Sequence, residues 1–170
     1  MIRRGVALVL LGLVPALTGC PVQPGSVPKA APVAPAAPAT SWYADMLGSV
    51  NAQRAAAGAP ALRLCPTLIW AAQGHTADQA AHDDMTHTGS DGSNIGVRAD
   101  RAGYSGWTAL GENVAYGYTS IDGVMTGWMN SSGHRANILN ASYTDVGFGQ
   151  AVAADGTVYW TQDFGRSGHC

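Results

Sequence analysis

From residue 42 onward the apolar positions change period several times. Over residues 42–57, Met46, Leu47 and Val50 return on one side of a 3.6-residue repeat, and Gly58-Ala59-Pro60 closes the segment, which predicts a helix. Pro66 stands at a first-turn position and opens a second helix to about residue 82, with Leu68, Ile69, Ala72, Thr76 and Ala80 as its inward stripe. Residues 86–94 are polar and Gly-rich and predict a loop; a short helix over residues 95–102 follows, ended by Gly103. Residues 112–118 alternate as a strand does. Ser120 is the expected N-cap of a helix whose apolar face holds Ile121, Val124, Met125 and Trp128. Residues 146–153 and 157–164 predict two strands joined through Ala154-Asp155-Gly156, a hairpin. Helices first, strands late and helices between predict the α+β class, as a three-layer α-β-α sandwich. Trp70, Trp107, Trp128 and Trp160 are assigned to the core, because aromatic side chains dominate apolar burial in small domains.

The first forty residues follow a different logic. Arg3 and Arg4 precede an apolar run over residues 6–17 that is too short to be a comfortable membrane span. The run ends in Leu17-Thr18-Gly19-Cys20, similar to the bacterial lipobox, whose cysteine is lipidated and becomes the mature N-terminus. Residues 1–20 are therefore expected to be a lipoprotein signal peptide; the other reading is an ordinary cleaved signal with an incidental cysteine. Either way the chain is exported. Residues 21–41 carry six of the nine prolines among Ala and Val and form an extended linker. Residues 42–170 are then the folded domain, held extracytoplasmic on a lipid anchor in the envelope membrane.

Composition narrows the chemistry. Hydrophobic residues make up 46%, enough for a sizeable core, while charged residues reach only 12%, about half the usual share. The formal charge is −2. There is no basic footprint, which excludes a nucleic-acid partner. With Cys20 assigned to lipid, Cys65 and Cys170 remain in an oxidising compartment and are expected to pair; two free thiols or a metal pair are the alternatives. Closing so long a loop contributes roughly 3–5 kcal/mol in the chain-entropy view. Lys29, the only lysine, lies in the linker, which removes a Ser-Lys dyad. Neither G-x-S-x-G nor H-E-x-x-H occurs.

Seven strings then line up in one order. They are Val50-Asn51-Ala52-Gln53-Arg54 with Gly58, His87-Thr88-Gly89-Ser90-Asp91-Gly92, Arg98 with Gly103-Tyr104, and Gly111-Glu112-Asn113-Val114-Ala115. The block from Trp128 through Ser132-Gly133-His134-Arg135 to Asn137-Ile138-Leu139 follows, then Tyr143-Thr144-Asp145-Val146-Gly147 and Tyr159-Trp160-Thr161-Gln162-Asp163-Phe164-Gly165. This series resembles the CAP superfamily of cysteine-rich secretory, antigen 5 and pathogenesis-related 1 proteins, in its bacterial form, over residues 43–165. The resemblance implies the CAP-type sandwich and a cleft lined by two His and two Glu, where some members bind zinc or another divalent ion. Carried over, His87 takes the first His, Glu112 the Glu of its string and His134 the second His. Ser131 stands where the second Glu is expected, with Asn130 and Asp91 nearby.

The residue types alone are compatible with that site. Two imidazoles suit Zn²⁺, and a carboxylate can complete a metal site, act as a general base, or orient one of the histidines. Equally, both histidines can be hydrogen-bonding cleft residues. Glu112 is the only glutamate beside ten aspartates, which suggests a reach that Asp does not meet. His75 and His82 are placed at the surface or core edge, and His169 in solvent. Ser131 or Ser132 with His134 and Glu112 is the one triad-like arrangement left. The expected function is an exported, lipid-anchored CAP-domain monomer that binds a divalent metal or a lipid, glycan or protein ligand at the envelope or outside the cell. Its site would comprise His87, His134 and Glu112, with Asn130 and Ser131 lining the cleft. The alternatives are a zinc-dependent hydrolase, with His87 and His134 on the metal and Glu112 activating its water, and a structural envelope protein.

Overall fold

The computed structural model describes residues 40–170, so the signal segment, Cys20 and nearly all of the linker lie outside the described residues. In chain order the elements are α1 (Thr40–Ala56), β1 (Arg63–Leu64), α2 (Pro66–His82), α3 (Ile95–Arg101), β2 (Ala109–Tyr116), α4 (Ile121–Asn130), α5 (Ser132–Leu139), β3 (Asp145–Val152) and β4 (Val158–Arg166). The sheet runs β1-β3-β4-β2, parallel between β1 and β3 and antiparallel elsewhere. Helices α1, α4 and α5 cover one face and α2 and α3 the other, which is the three-layer α+β sandwich. Cys65 and Cys170 form the disulfide, tying the last residue to the start of α2.

The two faces of the sheet differ in chemistry because side chains alternate along a strand. Toward α1, α4 and α5 stand Val146, Phe148, Trp160 and Phe164, packed with Met46, Val50, Met125, Trp128 and Ile138 in the main core. Toward α2 the same strands present Gly147, Gly149, Thr161 and Asp163. A Cβ on Gly147 would collide with the backbone of Leu68 and Ile69, and one on Gly149 with the backbone of Ala72. These two glycines let α2 lie almost directly on β3.

Strand β2 is a sheet edge, and its outward carbonyls are covered by side chains from the α4–α5 side. Tyr143 Oη donates to Leu110 O at 3.0 Å, Asn137 Nδ2 to Glu112 O at 3.1 Å and Trp128 Nε1 to Val114 O at 3.3 Å. This protects an edge that would otherwise be open to further strand pairing. The far end of α5 is held by the buried Arg54, which donates to the carbonyls of Pro60, Ile138, Asn140 and Tyr143.

Several elements differ from the sequence reading. Strand β2 begins three residues early, since residues 109–111 pair with β4 although Gly111 breaks their alternation. The two-residue β1 is too short to show a period. Helix α5 went unread because it has almost no apolar stripe: Ile138 is its one buried residue, and hydrogen bonds hold it. Trp70 is corrected from core to surface at 64% exposed, because it lies two positions past Leu68 and so on the far side of α2 from the buried stripe. Trp107 is only partly buried, whereas Trp128 and Trp160 are core. Ser120 caps α4 as expected, accepting from Gly123 N at 3.1 Å.

Replacing Arg54 by Ala removes a donor from four carbonyls at once, although that of Asn140 keeps Tyr143 N, and is expected to cost about 3 kcal/mol or more in urea unfolding. Arg54→Lys should recover little of it, because a single ammonium cannot reproduce the guanidinium fork.

Candidate functional site

Glu112 organises the site from the middle of β2, directly opposite Asp163 on β4. Its side chain is buried, and both oxygens are engaged. Arg98 Nη2, from α3, donates to Oε2 at 2.6 Å, and His87 Nδ1 lies 2.7 Å from Oε1. Arg98 also reaches the loop before α3, donating through Nη1 to Ser93 O at 2.8 Å and His87 O at 3.2 Å. His75 on α2 secures the other end of that loop, with Nε2 at 2.8 Å from Thr86 O. Loop residues 86–94 are thus folded around two buried cationic or imidazole side chains, and Asn94 ends the loop by accepting from Val97 N as the cap of α3.

His75 was misplaced by the sequence reading: it is buried, and its Nε2 also lies 3.8 Å from Glu112 Oε2. Since Nε2 faces a carbonyl it carries the proton, and burial lowers the ring's pKa, so the imidazole is neutral. A polar residue among the stripe positions Leu68, Ala72, Thr76 and Ala80 is the signal that marks it. Asp163 was missed as well. Its carboxyl is fully buried without a hydrogen-bond partner among the described residues, and burial, reinforced by the Glu112 charge, holds its pKa well above the carboxylate range. The pairing of the Glu112 and Asp163 strings across adjacent strands could have pointed to it.

His134 arrives from α5 through a cross-brace. Asn113 Nδ2 donates to His134 O at 3.1 Å, and Asn137 Nδ2 donates to Asn113 Oδ1 at 2.9 Å. His87 and His134 thereby line one cleft of about 400 Å³ beside β2, together with Met85, Tyr116, Tyr118 and Ser131. Tyr118 can lie along α4 because Gly127 has no side chain to oppose it. Burial, and then the nearby His87, lower the His134 pKa, so its ring is neutral at pH 7.

The donor set fits a divalent ion only in part. Two imidazoles share the cleft, but Glu112 is occupied by Arg98 and His87, and among the described residues no group of three or more His, Cys, Asp or Glu is placed to hold one ion. Of the roles open to Glu112 in the sequence, metal ligand, general base or partner orienting a histidine, its contacts with His87 and Arg98 match the third. The zinc-hydrolase reading loses its base, and the Ser131 or Ser132 triad loses its orienting carboxylate. Asn130 is corrected as well: it follows the Trp128 face of α4 by two positions and lines a groove with Ser49 and Gln53 instead. Asp91 lies away from both histidines, bound to Ser93 N and Arg101, which hold its carboxyl well below the usual range. His82 and His169 are exposed.

The model of the cysteine-rich secretory protein (CAP) family matches residues 47–164, and the chain belongs to this family. It is 33% identical over 114 residues to the uncharacterized protein YkwD of Bacillus subtilis (strain 168), an alignment covering 67% of the chain and 43% of YkwD. An extracellular protein containing an SCP domain from Bacillus anthracis has a similar solved structure, with a TM-score of 0.65 and 28% identity over 73% of the chain and 40% of that protein. An outer surface protein of Borrelia burgdorferi shares the fold, with a TM-score of 0.67, 19% identity and coverage of 73% and 91%. The chain therefore spans less than half the length of YkwD and of the B. anthracis protein. Among the described residues no helix is long and apolar enough to cross a membrane.

Asp163→Asn provides a direct check on the buried carboxyl. A raised folded pKa means that stability is full below the ordinary carboxylate pKa and is lost as pH rises toward the folded value. The Asn variant escapes that loss, so it should exceed the parent by about 1 kcal/mol or more at pH 7. The gap should shrink toward pH 4 when urea unfolding is compared at the two values.

Proposed function

We propose that this is an exported, lipid-anchored CAP-domain binding module that captures its ligand between His87 and His134, at the cell envelope or outside the cell. The observation that carries the reading is the fixed His87 ring. Glu112 engages Nδ1, which leaves Nε2 as the ring nitrogen turned to the cleft that the neutral His134 also lines. Tyr116, Tyr118 and Met85 leave apolar and aromatic surface exposed in the same cleft, which suits a ligand with an apolar portion anchored by polar groups. A divalent cation would be held by the two imidazoles and would serve as a Lewis-acid anchor for an electron-rich group of the ligand. The extracellular and outer-surface descriptions of the structural relatives support placement outside the cytoplasm, and the lipobox supports the anchor.

Native mass spectrometry of the full chain with added Zn²⁺ tests this. One zinc is expected on the parent and none on the His87→Ala, His134→Ala double variant. Glu112→Gln keeps both ligands but loosens the ring and should weaken binding about 10- to 100-fold. No zinc on the parent, or equal binding by the double variant, would count against a metal at this cleft.

A further inference from the structure

Arg98, the second partner of Glu112, also lines a different groove, of about 630 Å³, between α2, α3 and the 86–94 loop. Trp70 stands at this groove with most of its indole in water, although burial of so large an apolar side chain is favourable. One turn further along the same helix face is Gly74, and a Cβ built there would meet no atom within 4 Å. Glycine is the poorest helix former after proline, yet no packing in the described fold requires it here. Together the two residues make a flat aromatic shelf with clear space beside it.

The facing wall is polar and already ordered. Ser90 donates to Asp78 through its backbone N at 2.7 Å and its hydroxyl at 2.6 Å, and Asp91 is paired with Arg101. Two buried side chains that line the groove, His75 and Arg98, each keep one nitrogen without a partner among the described residues, Nδ1 and Nε respectively. Charges balance locally: Asp91 against Arg101 and Glu112 against Arg98, with Asp78 left over. With Asp78 unbalanced, the polar wall disfavours an anionic ligand, and Ala71 and Ala102 extend the apolar floor beside the indole.

We propose that this groove binds a neutral saccharide, with a pyranose ring stacked on Trp70 over Gly74 and its hydroxyls bonded to Asp78, Ser90, Asp91 and Arg101. The stacking uses the apolar C–H face of a sugar, and the fixed carboxylate–hydroxyl and carboxylate–guanidinium pairs supply directional partners for its hydroxyls. The site opens apart from the His87–His134 cleft, although the two share the 86–94 loop.

Isothermal titration calorimetry of the full chain with chitotetraose, cellotetraose and maltotetraose, each to about 10 mM, and with a pool of uncharged octapeptides, tests the proposal. At least one tetrasaccharide should bind. Trp70→Ala should weaken it at least about tenfold, the scale of losing an aromatic anchor. Gly74→Leu should block the shelf while raising the melting temperature, since it replaces a helix-interior glycine in open space. Ser49→Ala, on α1 and outside both the cleft and this groove, should bind the sugar as the parent does. Binding of none of the three saccharides, binding only of peptides, or saccharide binding unchanged in both Trp70→Ala and Gly74→Leu would overturn it.

Discussion

A single buried carboxylate sets the arrangement of this domain. Leaving an ionised carboxyl in the interior without partners costs several kcal/mol, and Glu112 escapes that cost only because Arg98 and His87 take one oxygen each. Arg98 can reach it only if α3 docks against the sheet edge. His87 can reach it only if the loop before α3 folds back, which Arg98 enforces through the carbonyls of His87 and Ser93. The placement of a helix, a loop and the cleft imidazole thus follows from one pairing. A shorter Asp at this position would fall back toward the strand by one methylene, which accounts for the lone glutamate.

The sheet divides the domain into an apolar and a polar half. Its face toward α1, α4 and α5 is an apolar core. Its opposite face is small and polar, with glycines where α2 comes closest and Thr161, Glu112 and Asp163 where side chains fit. Polar groups kept from water make a layer that holds only with most partners in place, and it is from this layer that His87 is presented. His134 comes from the other layer, so the cleft forms where the two layers meet beside the edge strand. The Asn113–Asn137 brace keeps that meeting in register.

How much was legible follows from which residues carry a period. Helix α2 and the β3–β4 hairpin were readable because Leu68, Ala72 and Ala80, and then the alternating strand residues, repeat cleanly. Helix α5 was not, because its attachment runs through Asn137 and the edge-strand carbonyls. Trp70 misled because aromatic residues are usually buried, while its position relative to Leu68 pointed outward. The family strings singled out His87, His134 and Glu112 but not their division of labour. Which oxygen of Glu112 faces which partner is a three-dimensional fact, and it favours the orienting role among those the residue type allowed. His75 and Asp163 were hidden for the same reason: each gains its role only from a neighbour far away in sequence.

The central claim is that Glu112 fixes the ring of His87 so that Nε2 serves the cleft. Long-range ¹H–¹⁵N correlation spectra of the histidine side chains at neutral pH report the tautomer directly. The account predicts that His87 carries its proton on Nδ1, donated to Glu112, with an unprotonated Nε2, and that Glu112→Gln loosens this preference. A proton on His87 Nε2 in the parent, whether as the Nε2–H tautomer or as the imidazolium, would leave the cleft without the lone pair on which the account depends.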